Sequence, residues 1–136
     1  MNHFSAVLDS TFTYQTKVFC IISDNRVYRS ISPRMFTTVL DRAGINGAYV
    51  PFMVEADNIG RAMESLRVLN IAGASINAPF KEKVLPYLDA LSEGANIIGA
   101  VNTIVCKGDD LKGYNTNAIG IMDALNAADF DIAGKK

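Results

Sequence analysis

Lys17-Val18-Phe19-Cys20-Ile21-Ile22-Ser23 is a short, nearly unbroken apolar run that gives way to the polar stretch Asp24–Arg29. A strand with one wet face alternates apolar and polar residues, whereas a continuous run of this length reads as a strand covered on both faces. The next twenty residues agree with that reading. Ser32-Pro33 is predicted to open a helix, with the serine as cap and the proline in the first turn. Met35, Phe36, Val39, Leu40 and Ala43 recur at helical spacing, and Gly44 closes the helix. A buried strand leading through a polar loop into an amphipathic helix is the building unit of an α/β domain.

The pattern continues outward from this unit. Gly47–Val54 (GAYVPFMV) reads as a second strand, and its internal Pro51, lacking an N–H, predicts an edge or irregular position. Ile59, Met63, Leu66 and Leu69 share one face of a helix predicted from about Ala56 to Leu69. Ala72–Ile76 is a short third strand. A brief helix is predicted around Lys81–Leu88, limited by Pro86. Ser92 and Glu93 begin another, which stops at Gly99. Ala100–Cys106, a Gly-Asp-Asp turn and Leu111–Tyr114 read as a β-hairpin, and Asn117–Leu125 as a final helix. The fold class is therefore α/β: a three-layer domain with a mixed, mainly parallel sheet flanked by helices.

Composition narrows the function classes. The sequence has 136 residues, 49% apolar and 20% charged, with a net charge of −1. That length supports one domain with a real core. The charge gives no basic patch for nucleic acid, and no stretch approaches the roughly 20 apolar residues of a membrane span. Residues Met1–Ser10 lack the pattern of a secretion signal, and Cys20 and Cys106 sit in apolar runs as reduced thiols do. The expected compartment is the cytoplasm. His3 is the single histidine, which argues against a Ser-His-Asp triad and a histidine metal site.

In an open α/β sheet, ligands sit beyond the carboxyl ends of the strands, in the loops leading to helices. Ser30-Ile31-Ser32-Pro33 follows the first strand, and Ser75-Ile76-Asn77-Ala78-Pro79-Phe80-Lys81 runs out of the third. Asn102 lies in the strand segment Gly99-Ala100-Val101-Asn102-Thr103, and Gly113-Tyr114-Asn115-Thr116-Asn117-Ala118-Ile119-Gly120 leads into the last helix. Taken singly, each has an ordinary reading. Ser32-Pro33 is a helix start, Lys81 a solvated lysine, Asn102 a side chain satisfied by a neighbouring loop, and Asn117 a helix cap.

In this order the segments resemble the shikimate and quinate dehydrogenase family, whose pattern is S-x-S-P, N-V-T-x-P-x-K, G-A-V-N-T and G-x-N-T-D-x-x-G. The resemblance spans about Lys17 to Leu125 and covers the family's N-terminal substrate-binding domain. It implies an oxidoreductase of the shikimate pathway of aromatic amino acid biosynthesis, interconverting 3-dehydroshikimate and shikimate, or the quinate equivalents, with NADP or NAD. It also implies site residues. Ser30 and Ser32 hold the substrate carboxylate, Lys81 is the catalytic lysine beside the reacting hydroxyl, Asn102 bonds ring hydroxyls, and Asn77 lines the same pocket. Asn117 stands where the family has the aspartate that partners the lysine, and Glu93 falls near the nicotinamide end of the cofactor. Paired hydroxyls at a helix start suit a carboxylate, and a lysine can exchange the proton that accompanies hydride transfer.

The implied division is residues 1–16 as an N-terminal extension, 17–130 as the substrate-binding domain, and 131–136 as the start of a linker to an NAD(P)-binding Rossmann domain absent from this chain. No G-x-G-x-x-G occurs, so no cofactor is expected for the chain itself. The departures are specific. Asn117 replaces aspartate, Asn77 threonine, Ser75 asparagine, Arg29 histidine and Asp24 glycine. An amide cannot take a proton, and Arg29 adds a cation suited to an acidic ligand. These changes argue for altered substrate choice, weak activity or none. The alternative is a catalytically silent homologue that binds a shikimate-like acid as a sensor or interaction module.

Overall fold

The computed structural model describes residues 12–130 and 132. His3, most of the N-terminal extension and nearly all of the linker stretch 131–136 lie outside the described residues.

The strand that decides the fold, β1 (Lys17–Ser23), has the bounds its apolar run predicts. It is central, flanked by β2 (Gly47–Met53) on one side and β3 (Gly73–Ile76) on the other, both parallel to it. Beyond β3 the sheet turns antiparallel through β5 (Thr103–Lys107) and β6 (Asp110–Tyr114). The two-residue β4 (Ala90–Leu91) closes the far edge parallel to β6, giving six strands in the order β2-β1-β3-β5-β6-β4. Pro51 stands opposite Ile21 on the edge strand β2, where its missing N–H leaves no neighbour unsatisfied.

The helices are α1 (Ser32–Arg42), α2 (Ile59–Val68), α3 (Glu93–Ile98) and α4 (Thr116–Ala127). Two pass close to the predicted ends. Gly44, at φ +65°, lets its own N–H reach Asp41 O and that of Ile45 reach Leu40 O, the pair of hydrogen bonds that ends α1. Ser92 Oγ accepts from Ala95 N–H at the start of α3, and left-handed Gly99 ends it.

Elsewhere the structure corrects the sequence reading. Ser32 is not the cap of α1 but its first residue; Ile31 holds the cap position and offers no side-chain oxygen. The region Lys81–Leu88 forms turns and a 3₁₀ turn at Leu85–Tyr87 instead of a helix, because Pro86 removes an N–H in its middle. The hairpin's first strand starts at Thr103, three positions after Ala100, because Ala100 and Val101 bond to the loop residues Asn115 and Lys81.

β1 supplies both cores. Cys20 and Ile22 join Ile59, Met63 and Leu66 of α2, Ile76 of β3, and Phe80, Val84, Val101, Ile104 and Leu111 in the larger cluster. Ile21 faces the other way, with Val27, Leu40 and Tyr49, against Phe36 of α1. Among the described residues no helix is long and apolar enough to cross a membrane.

Candidate functional site

The register brings Ser23 and Ile76 to the same end of the sheet as Thr103 and Tyr114, so four loop segments meet there. At the end of β1, Ser23 is buried, and its hydroxyl donates to Ala78 O at 2.8 Å, tying the first loop to the third strand's loop. Asp24 then caps the 3₁₀ turn Asn25–Arg29. It accepts from Arg26 N–H at 3.0 Å and from the Arg26 guanidinium at 2.8 and 2.7 Å. These bonds hold its carboxyl below the usual range. The Asp24–Arg26 clasp occupies the loop that the family opens with glycine.

Ser30 comes next, its N–H bonded to Val27 O. Its Oγ accepts from Ser32 N–H at 3.2 Å, so the Ser30 proton stays free to donate. Ser32 is half-buried and its hydroxyl has no bond to another described residue. Two hydroxyl donors therefore stand beside the start of α1, as a carboxylate would require.

The third strand's loop begins with Asn77, whose N–H bonds Ile22 O, and passes the cis Ala78–Pro79 bond. Phe80 is fully buried and anchors the segment, leaving Lys81 half-buried beside it. Lys81 O accepts from Val101 N–H at 2.8 Å, which places the lysine's backbone next to Asn102. Asn77 itself is exposed. Among the described residues neither Lys81 nor Arg29 has a carboxylate partner at ion-pair distance.

Asn102 is the hub. Its backbone O accepts from Ile76 N–H and its N–H bonds Tyr114 O, joining β3 to β6. Its side-chain oxygen accepts from Thr116 N–H at 3.0 Å and from the Thr103 hydroxyl at 3.1 Å. Its Nδ2 donates to Thr116 Oγ1 at 2.9 Å and to Asn117 Oδ1 at 2.6 Å. Both amide protons are thus engaged within the protein. Asn115 and Thr116 matter here although neither is a site residue in the sequence reading. Asn115 is 8% exposed and caps α4, accepting from Asn117 N–H while donating to Ala100 O. The signal is present in the sequence: an asparagine immediately before the first helical turn is a strong N-cap.

Segments 77–81, 100–102 and 114–117 are therefore linked by hydrogen bonds, and the Ser30–Ser32 loop joins them through Ser23. Among the described residues no hydrogen bond joins Ser30 or Ser32 to Lys81 or Asn117. Glu93 is exposed at the start of α3 and contacts none of these side chains by hydrogen bond or ion pair. Cys20 and Cys106 lie away from these loops as free thiols, with burial pushing them up to about 12 and about 11, so neither is a nucleophile near neutrality. No group of metal-binding side chains exists among the described residues.

Fold and loops define an α/β domain with its polar loop residues gathered at the carboxyl end of a parallel strand pair. The family described as the shikimate dehydrogenase substrate binding domain matches residues 22–104, and the chain belongs to that family. It is 44% identical over 108 residues to the NADP(+) shikimate dehydrogenase of Halothermothrix orenii, covering 79% of this chain and 37% of that protein. The corresponding enzyme of Caldanaerobacter subterraneus is 40% identical over 129 residues, covering 95% of this chain and 44% of that protein. The crystal structure of shikimate 5-dehydrogenase from Listeria monocytogenes, in complex with shikimate and NAD, superposes with a TM-score of 0.83 at 31% identity. That match covers 90% of this chain and 42% of the other. The chain spans less than half the length of these relatives.

Proposed function

We propose that residues 17–130 form the substrate-binding domain of a shikimate dehydrogenase-like oxidoreductase, acting on 3-dehydroshikimate and shikimate or the quinate pair with NADP or NAD. The observation that carries this reading is the meeting of the four loop segments at one end of the sheet, held together by Ser23 and Asn102. The donor set for a dinucleotide is not in these residues, since no glycine-rich turn precedes a helix, and Glu93 alone does not make a cofactor site. This chain's own part is to bind and orient a cyclic hydroxy acid and to hold a proton at Lys81 Nζ. Ser30 and Ser32 donate to the carboxylate, with Arg29 nearby as a further cation. Asn77 faces the ring, and Asn102 orients Thr116 and Asn117. A water-soluble, cytoplasmic setting suits such an acid.

One observation favours the second reading, a silent binder. Asn117 offers an amide where a proton-handling pair would want a carboxylate. Both readings require acid binding. A chemical-shift titration of the chain with shikimate or quinate at millimolar concentration tests it, and saturable shifts at Ser30, Ser32 and Lys81 are expected. Changing Ser30 and Ser32 together to alanine should remove most of that binding, because each lost donor leaves carboxylate charge less well satisfied. Saturable binding untouched by the double substitution would assign the carboxylate elsewhere.

A further inference from the structure

The orientation of two amides at the candidate site is determined by a chain of hydrogen bonds, and it has a consequence for ligand choice. The backbone N–H of Thr116 can only donate, so the Asn102 atom that meets it at 3.0 Å must be the oxygen, Oδ1. That turns Asn102 Nδ2 toward α4, where it reaches Asn117 at 2.6 Å. The Asn117 atom facing a donor must itself be the oxygen, so the Asn117 NH2 group points away from Asn102. No other described group bonds that NH2, and Asn117 is exposed. The main chain of Lys81 is bonded to Val101, the residue before Asn102, and the lysine is a donor without an acid partner among the described residues.

We infer that Asn117 is a specificity-determining residue which, with Lys81, makes this part of the site a donor-only surface that prefers a ketone over the corresponding alcohol. The inference rests on the proposed function, which puts the reacting ring oxygen beside Lys81. A ketone oxygen only accepts, so it matches two donors without leaving a polar group unmet. A hydroxyl also accepts, but its proton then needs an acceptor, and the Asn117 oxygen is turned toward Asn102, which leaves the NH2 side of the amide for the ligand. An aspartate at the same position would keep one oxygen on Asn102 and turn the other toward the ligand as an acceptor for the alcohol's proton. A single neutral hydrogen bond is worth about 0.5–1.5 kcal/mol, which corresponds to a roughly two- to tenfold difference in affinity.

The test uses the 136-residue chain and two probes, 3-dehydroshikimate and shikimate, titrated by calorimetry or by chemical shift. The wild-type chain should bind the ketone several-fold more tightly. Asn117→Asp, nearly identical in shape and still able to accept from Asn102, should shrink that ratio or reverse it. Equal affinities in the wild type, or a ratio unmoved by Asn117→Asp, would overturn the inference while leaving the proposed acid site standing. Binding of neither probe by either protein would bring down the proposed site and this inference with it.

Discussion

The two faces of the sheet are packed to different standards. On the α2 side, Met63, Ile76, Phe80, Val84, Val101 and Leu111 have no exposed surface, and the cluster runs from β1 to the far hairpin. On the α1 side, the cluster is confined to Ile21, Val27, Leu40 and Tyr49. There Phe36 stacks on Tyr49 at 4.5 Å, but α1 covers only the β1–β2 half of the sheet. The rest of that face opens into a cavity of about 440 Å³ bordered by Phe19, Leu40, Gly73, Ser75, Thr103 and Val105. The difference teaches where rigidity resides. The loop carrying Lys81 is anchored through Phe80 and Val84 in the closed core, whereas the Ser30–Ser32 loop leads into the helix over the open one. The lysine end of the site is thus held by the larger, closed cluster, and the serine end by α1, the Ser23–Ala78 bond and Val27 in the smaller cluster.

The largest expected effect breaks the closed face. Phe80→Ala should cost about 3–5 kcal/mol in a denaturant melt, because a fully buried ring leaves a cavity its surroundings cannot fill. Leu40→Ala on the open face should cost about 2 kcal/mol, since its neighbours already border empty space and can relax into it. Equal losses would show that the two faces are packed alike.

Gly113→Ala sharpens the same contrast. A Cβ there would meet Leu88 Cδ1 at 2.6 Å and Val101 Cγ2 at 2.7 Å, inside the closed core. Overpacking of this kind costs about 1–3 kcal/mol, and a hydrogen-exchange map should show the loss concentrated around β4 and β6. A stability within error of the wild type would mean that the closed face has slack.

A smaller loss is expected on the open face. Tyr49 OH donates to Ser75 Oγ at 2.8 Å, across two strands, and burial raises the Tyr49 hydroxyl above its ordinary range. Tyr49→Phe removes that bond with the ring stack intact, and should cost about 1 kcal/mol by urea melt.

The smallest effect is best separated from the others by its dependence on pH. Asp89 accepts from Leu111 N–H at 2.7 Å and from Arg67 Nη2 at 2.8 Å, clasping α2 to the hairpin across the closed face. Those bonds, the Leu111 N–H first, hold its carboxyl below the usual value. Its folded pKa is therefore below its unfolded one. The stabilisation is present above the unfolded value, near about 3.9, and is lost as pH falls through the folded one. Asp89→Asn should remove that small stabilisation at neutral pH and so flatten the acid limb of a stability-against-pH curve, the two proteins converging at low pH. An unchanged acid limb would assign acid sensitivity to other carboxylates, such as Asp24 beside Arg26.

Much of the fold is legible in the residues themselves, wherever the signal is local. The run Lys17–Ser23 points to β1 because it is too short for an ordinary helix and is rich in the β-branched and aromatic residues Val18, Phe19, Ile21 and Ile22. Gly44 and Gly99 end helices because only a residue without a Cβ takes positive φ at no cost. Pro51 marks the edge strand because it has no proton for a second neighbour. The family of the chain is legible too, since the four loop segments keep their order and spacing along the sequence. The non-local features required the tertiary structure. Two residues, Ala90–Leu91, carry no period, so β4 exists only because β6 offers it a partner. Ser32 loses the cap to Ile31 because the Ser30 hydroxyl takes the Ser32 N–H from outside the helix. The direction of the Asn117 amide depends on Asn102, 15 residues earlier, and on a backbone N–H that reaches it only once β5 and α4 have come together. Sequence names the donors and acceptors available, but folding decides which of them meet and which remain free for a ligand.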